Sequence, residues 1–325
     1  MSPFDAQGQL VLVTALTLAL AVGLLSAPLT LPVLRSIRRW APETQRAALL
    51  VLAAAPALVA LAAFLAVLLP SMLAMAGAPD HCHDHSGHLH LCFVHFGKHP
   101  ASTLALVLVL VAFAAIGWRV ARAGVAIFRA RRLVRDVLSL AGRDGAAWVI
   151  PTSRPICASV GLLSPRIVVS EGFLAALTPD ARRAALAHEA AHVARRDALW
   201  RLVARALAVL YPGPVRRGLL AALDIAFERA ADEHAAAALG NRLTVAQALV
   251  DAERLATVDA AWAPLARAMT GTSIGQRVHG LLEEPPAPGH PRRLALALVV
   301  LATSCLALHD VLHHAVESLL AAVFH

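Results

Sequence analysis

Residues 178–197 read TPDARRAALAHEAAHVARRD, and the spacing inside this stretch decides what kind of domain surrounds it. Thr178-Pro179-Asp180 is a helix start: a capping hydroxyl, a proline where no N–H is needed, and an acid in the first turn. The helix is predicted to run to about Leu210, where Tyr211-Pro212-Gly213-Pro214 stops it. His188 and His192 stand four apart on one helical face, so both imidazoles can reach one metal ion. Glu189 projects beside such a metal and can act as general base on a bound water. Two imidazoles and a carboxylate suit zinc and leave a position open for water. The next helix, predicted over roughly Val215–Leu239, offers Glu228 as the third ligand. One turn later, Asp232 can accept a hydrogen bond from a ligand histidine and so fix its ring. Asp197 has two roles open to it: orienting a neighbouring group, or pairing with Arg201.

The flanking sequence frames this site. Trp148-Val149-Ile150 and Arg166-Ile167-Val168-Val169 read as two short strands, rich in β-branched or aromatic residues and bounded by Pro, Ser and Gly. Gly161–Pro165 is a turn between them, and Gly142–Gly145 breaks an amphipathic run over Val120–Leu140. Further helices are predicted over about Thr244–Ala268 and Ile274–Leu282. Hydrolysis at a metal also calls for a group that steadies the oxyanion, and His234, His279, His290 and Arg277 are the candidates.

The surrounding chain is unusually apolar. Of its 325 residues, 58% are hydrophobic and 15% charged, against about 45–50% and about 25% in soluble domains. That excludes a disordered or ordinary soluble protein. Four apolar runs, roughly Leu10–Leu34, Ala47–Ala78, Ser102–Val120 and Leu294–Leu312, each supply the ~20 residues a spanning helix needs. Pro28, Pro32, Pro56 and Pro70 fall inside them, as spanning helices tolerate. The arginines lie in Arg35–Arg46 and Arg119–Arg293, and segment 77–101 carries only Lys98. The positive-inside rule then puts both termini and the 77–101 loop outside and residues 121–293 in the cytoplasm. The net charge of +8 therefore reflects topology, with no direct nucleic-acid partner expected. The expected division is three transmembrane helices in 1–123, a cytoplasmic α+β domain in 124–291, and a fourth transmembrane helix with a short outside tail in 292–325.

Histidine is concentrated on that outside face. Seven of the sixteen histidines lie between His81 and His99. His81, Cys82, His83, His85, His88, His90 and Cys92 form a candidate site for a second transition metal, since imidazole and thiolate suit zinc, copper or nickel. A Cys82–Cys92 disulfide can persist outside the membrane and would leave only imidazoles and carboxylates as ligands. His309, His313 and Glu317 recur on one helical face, so His309 and His313 are expected to join the same site. Histidine also titrates near neutrality, so acid pH rivals metal as the signal.

The chain resembles the BlaR/MecR-type membrane zinc metallopeptidases. The residues that carry the resemblance are Gly161-Leu-Leu-Ser-Pro165-Arg-Ile-Val-Val-Ser170, Leu177-Thr-Pro and His188-Glu-Ala-Ala-His192 with Arg195-Arg196-Asp197. Tyr211-Pro212 and Glu228–Asp232 continue it, with Gln276-Arg277-Val278 as a weaker match. The resemblance implies a mainly α membrane protein with four transmembrane helices and a cytoplasmic zincin-like domain, a small sheet plus the metal-site helix, between the third and fourth. It further implies one catalytic zinc on His188, His192 and Glu228, with Glu189 as base and the strand near Arg166–Val169 pairing with substrate backbone. The implied activity is zinc endopeptidase in a bacterial inner membrane. The implied role is signal-triggered cleavage of a cytoplasmic protein substrate, such as a winged-helix repressor, with self-cleavage as an accompaniment. Quality control of membrane proteins is the alternative protease role, and metal binding or transport is the alternative of another class. Only a short tail follows Leu312, so a penicillin-binding sensor domain is not expected.

Overall fold

The computed structural model describes residues 3–78, 91, 103–258 and 274–324. Helices α1 (Pro3–Ile37) and α2 (Pro42–Met75) come first. Over Gln7–Ile37 and Pro42–Met75 they are long and apolar enough to cross a membrane, which makes the chain a membrane protein. The four internal prolines interrupt neither helix. Helix α3 (Thr103–Leu140) is one unbroken helix of 38 residues, so the third apolar run and its arginine-rich continuation form a single rod.

Four short strands follow: β1 (Gly142–Asp144), β2 (Ala147–Ile150), β3 (Cys157–Val160) and β4 (Arg166–Ser170). They form a mixed sheet in the order β1-β2-β4-β3. β1 pairs antiparallel with β2 through a tight turn at Gly145, β2 runs parallel to β4, and β3 returns antiparallel along β4. β1 and β3 are additions to the two strands expected from sequence. β4 therefore lies inside the sheet and β3 forms its edge. Ser170 ends β4 and begins α4 (Glu171–Ala176), its Oγ accepting from Phe173 N at 3.1 Å and from Ile156 N at 2.9 Å.

The remaining helices are α5 (Pro179–Arg195), α6 (Asp197–Leu207), α7 (Gly213–Leu239), α8 (Arg242–Val258) and α9 (Ile274–Leu282). They sort into two cores. One joins the sheet to α4, α5, α7 and α8 through Ile167, Val169, Phe173, Ala181, Ala184, Ala235 and Val245. The other joins α6 and α7 to α2, with Phe227, Leu219 and Leu223 packed on Leu49, Leu52 and Ala53. Tyr211, between α6 and α7, donates to the Leu52 carbonyl at 2.9 Å and accepts from Thr30 Oγ1 at 3.0 Å. Gly23 of α1 faces the Leu210 carbonyl so closely that any side chain there would collide with it.

The last apolar run departs from expectation. It forms two helices, α10 (Pro291–Ala307) and α11 (His309–Phe324), bent by 72° at Leu308. After the bend, His313 and Glu317 of α11 are buried, and His313 Nδ1 lies 2.6 Å from the Val67 carbonyl of α2.

Candidate metal centre

α5 is built as its sequence requires at the start and ends earlier than its composition suggests. Thr178 Oγ1 caps it by accepting from Ala181 N at 3.3 Å, and Pro179 occupies the first turn. It stops at Arg195 because Arg196 adopts φ 52°, the one positive φ outside glycine among the described residues. That left-handed turn costs roughly 1–2 kcal/mol for a residue with a Cβ. In return it folds the chain back, so that Asp197 Oδ2 sits 2.6 Å from His192 Nδ1, five residues upstream. A continuous helix to Leu210, as predicted, would carry Asp197 past this position.

His188 and His192 bring their Nε2 atoms to 3.1 Å of one another, with rings crossed at 85°. Glu228, from the middle of α7, places Oε2 3.5 Å from His188 Nε2 and Oε1 3.7 Å from His192 Nε2. One ligand atom from each residue falls within 4.8 Å of the others. Carboxylates fill the far side: His188 Nδ1 lies 2.9 Å from Asp232 Oδ1, although off the ideal donor direction, while His192 Nδ1 meets Asp197. Both inner nitrogens are thereby turned to one point.

The carboxylates are themselves held by arginines. Arg277 of α9 forks onto Asp232 through Nε at 2.8 Å and Nη2 at 2.7 Å, and its Nη1 is 3.3 Å from Glu228 Oε2. Arg195 binds Asp197 through Nη2 at 2.8 Å. Arg201 of α6 donates from Nη2 to Glu228 Oε1 at 2.6 Å. Burial works against ionisation of Glu228, yet His188 and the charges of Arg277 and His192 hold its carboxyl well below the usual carboxylate range. Burial opposes Asp232 and Asp197 likewise, and Arg277 with His188, and His192 with Arg195, lower them. For His188, burial disfavours the imidazolium, but Asp232 and Glu228 outweigh it and push the ring up to about 9. A site that strongly attracts a proton to a nitrogen ringed by carboxylates is one that attracts a cation.

The inner nitrogens open into a cleft of about 340 Å³. Glu189 lines it beside the two histidines and Glu228. Cys157, Ala158 and Ser159 of β3 form one wall, and Ala248 and Leu249 of α8 another. Two imidazole nitrogens, one ionised carboxylate and open space in front of them fit a divalent metal with a free position.

A family model described as BlaR1 peptidase M56 matches residues 98–279. The chain belongs to the BlaR1 peptidase family. Its members are metallopeptidases, and His188, His192 and Glu228 are a group that could bind the metal. Neither the curated proteins nor the solved structures contain a significant match to the chain. The matched span of this BlaR1-type peptidase contains the sheet, α5 and α7, and with them every residue of the centre just described.

Several expectations need correction. Substrate backbone cannot add to the strand near Arg166–Val169, because β4 is paired on both sides. The free edge beside the cleft belongs to β3, Cys157–Val160. Of the oxyanion candidates, His234 and His290 are exposed away from the cleft. His279 is exposed and pairs with Glu283 at 2.9 Å, and Arg277 is 4% exposed and committed to Asp232. Of the two roles open to Asp197, the structure has it on the neighbouring His192 and on Arg195, while Arg201 pairs with Glu228. His309 Nδ1 lies 3.2 Å from the Leu306 carbonyl, and His313 lies against the Val67 carbonyl and Glu317. His81, Cys82, His83, His85, His88, His90 and Cys92 lie outside the described residues.

Sequence reasoning gave Arg201 no part at the metal centre. The signal was its spacing: Arg201 follows Asp197 by four on α6, so a residue that faces His192 predicts a second one facing the same site.

Proposed function

We propose that this chain is an integral-membrane zinc endopeptidase whose catalytic domain faces the cytoplasm and cleaves a cytoplasmic protein. One observation carries the reading: the inner nitrogens of His188 and His192 and the Glu228 carboxylate converge at a cleft that Glu189 also lines. Zinc held there supplies Lewis acidity to a water and to the scissile carbonyl. His188, His192 and Glu228 hold it, and Asp232 and Asp197 keep the two rings turned inward. Glu189 accepts a proton from the attacking water and returns it to the leaving amine. The free edge of β3 offers backbone N–H and C=O groups along the cleft, the means by which an extended peptide is held without regard to its side chains. Signal-triggered cleavage of a winged-helix repressor is the role that fits a membrane-anchored peptidase with one face outside. The histidine-rich segment 81–99 is the candidate receiver of a metal or pH signal.

The test uses the full-length protein purified in detergent, with fluorogenic casein as probe. Cleavage is expected to stop on chelation, to return with zinc, and to fall roughly 10²–10⁴-fold in Glu189→Gln with zinc retained. A Glu189→Gln protein as active as wild type would overturn the assignment.

A further inference from the structure

The metal centre has a base and ligands but, among the candidates read from sequence, no cation free to meet a developing negative charge. Arg201 is placed to supply one. It lines the cleft with Glu189, His188 and His192. Its guanidinium lies 4.9 Å from the centre of the Phe227 ring, a cation–π contact that helps to hold it in place. Nη2 donates to Glu228 Oε1 at 2.6 Å, so the group sits one atom away from the ligand cage. Nε is buried and faces Asp224 Oδ1 at 3.8 Å, Nη2 holds Glu228, and Nη1, with no hydrogen bond among the described residues, is the donor left for the substrate. Arg277 also lines the cleft, but two of its nitrogens are committed to Asp232 and the third is 3.3 Å from Glu228 Oε2.

We propose that Arg201 is the oxyanion-stabilising residue of this peptidase. The inference rests on the metallopeptidase assignment and adds to it the group that senses the transition state. In the hydrolytic step the water oxygen bonds to the scissile carbonyl carbon while Glu189 takes the water proton. The C=O electron pair moves onto the carbonyl oxygen, and an unused N–H of Arg201 donates to it. Collapse restores the C=O bond, breaks the C–N bond, and sends the Glu189 proton to the departing nitrogen. Arginine suits this position because it stays charged throughout and offers several N–H groups in one plane. One can hold Glu228 while another serves the substrate. A preorganised donor in a protein cleft is worth far more than one in water.

The experiment compares Arg201→Gln and Arg201→Lys with wild type in the full-length, zinc-loaded protein. The probe is one quenched fluorogenic peptide that the wild type cleaves, with zinc content and thermal unfolding measured on the same samples. Arg201→Gln is expected to lower kcat roughly 10²–10³-fold with KM within about threefold and zinc unchanged. Arg201→Lys should recover part of the loss. Arg201 competes for Glu228, so its removal is not expected to release zinc. The inference is overturned by a kcat loss that follows zinc loss, by a rise in KM alone, or by full activity in Arg201→Gln. If Arg201→Gln fails to fold, the kcat of Arg201→Lys decides by the same criteria. Glu189→Gln, run in parallel, separates the two claims, since full activity there removes the metallopeptidase assignment whatever Arg201 does.

Discussion

Two buried histidine–carboxylate sets occupy opposite parts of this molecule, and their sequences look alike. His188 and His192 stand four apart on α5, and His313 and Glu317 stand four apart on α11. In the first set each outer nitrogen faces a carboxylate, which leaves both inner nitrogens pointing at one open cleft. In the second, His313 lies against the Val67 carbonyl and, at 3.1 Å, Glu317; Glu317 in turn accepts from Leu91 N at 2.8 Å. The first set keeps ligand atoms in reserve. The second, among the described residues, turns its ligand atoms to backbone and to one another. Spacing alone does not make a metal site; what occupies the far side of each ring does.

The comparison breaks most readily at the ligands. His192→Ala should cost more metal affinity than the roughly 10–100-fold lost when a ligand's supporting group is removed, whereas His313→Ala should leave bound zinc unchanged. Zinc per chain after dialysis measures both, and equal losses would erase the distinction. The pH dependence is next in size. The His188 ring, pushed up to about 9, keeps its proton at neutral pH in the metal-free protein. Its contribution to metal-free stability is full below the ordinary value of 6.5 and fades as pH rises through about 9. Metal needs the neutral ring, so zinc affinity should run the other way and strengthen about fiftyfold from pH 7 to 9. Competition with a chromophoric chelator reads the affinity, and a flat profile would show that the surrounding carboxylates do not act on the ring.

Asp197→Ala and Asp232→Ala sharpen the contrast further. Each should cost about 10–100-fold in zinc affinity or activity without removing a ligand. Wild-type affinity in both would mean that the rings are held by packing alone. The smallest effect belongs to the second set. Glu317→Ala strips acceptors from Leu91 N and His313, and should destabilise the protein by about 1–3 kcal/mol in a thermal melt with zinc binding intact.

How much of this was legible in the sequence follows from distance along the chain. The histidine pair and its cap are local, and local periodicity gave them. Glu228 could be found because α7 is a clean helix after a clear stop. The Asp197–His192 contact could not be assigned, because it depends on one arginine taking a left-handed turn that no composition rule anticipates. Cys157–Val160 has no strand signature. It becomes a strand only by pairing with β4, which displaces β4 from the edge and moves the expected substrate edge to β3. The kink at Leu308 lacks proline and glycine, and it coincides with the contact of His313 to a carbonyl on a distant helix.

Tyr211 carries a consequence for how such an enzyme can be handled and inherited. Its hydroxyl is claimed by α1 and α2 together, and the residues around it, Phe227 among them, finish their packing on Leu49 and Ala53. Phe227 is the immediate neighbour of Glu228. The catalytic half is thus not a portable cassette hung from an anchor. Cut free of α1 and α2, it would expose the apolar floor on which a ligand-bearing helix stands. Any lineage or engineer that swaps the anchor has to bring the matching floor along with it.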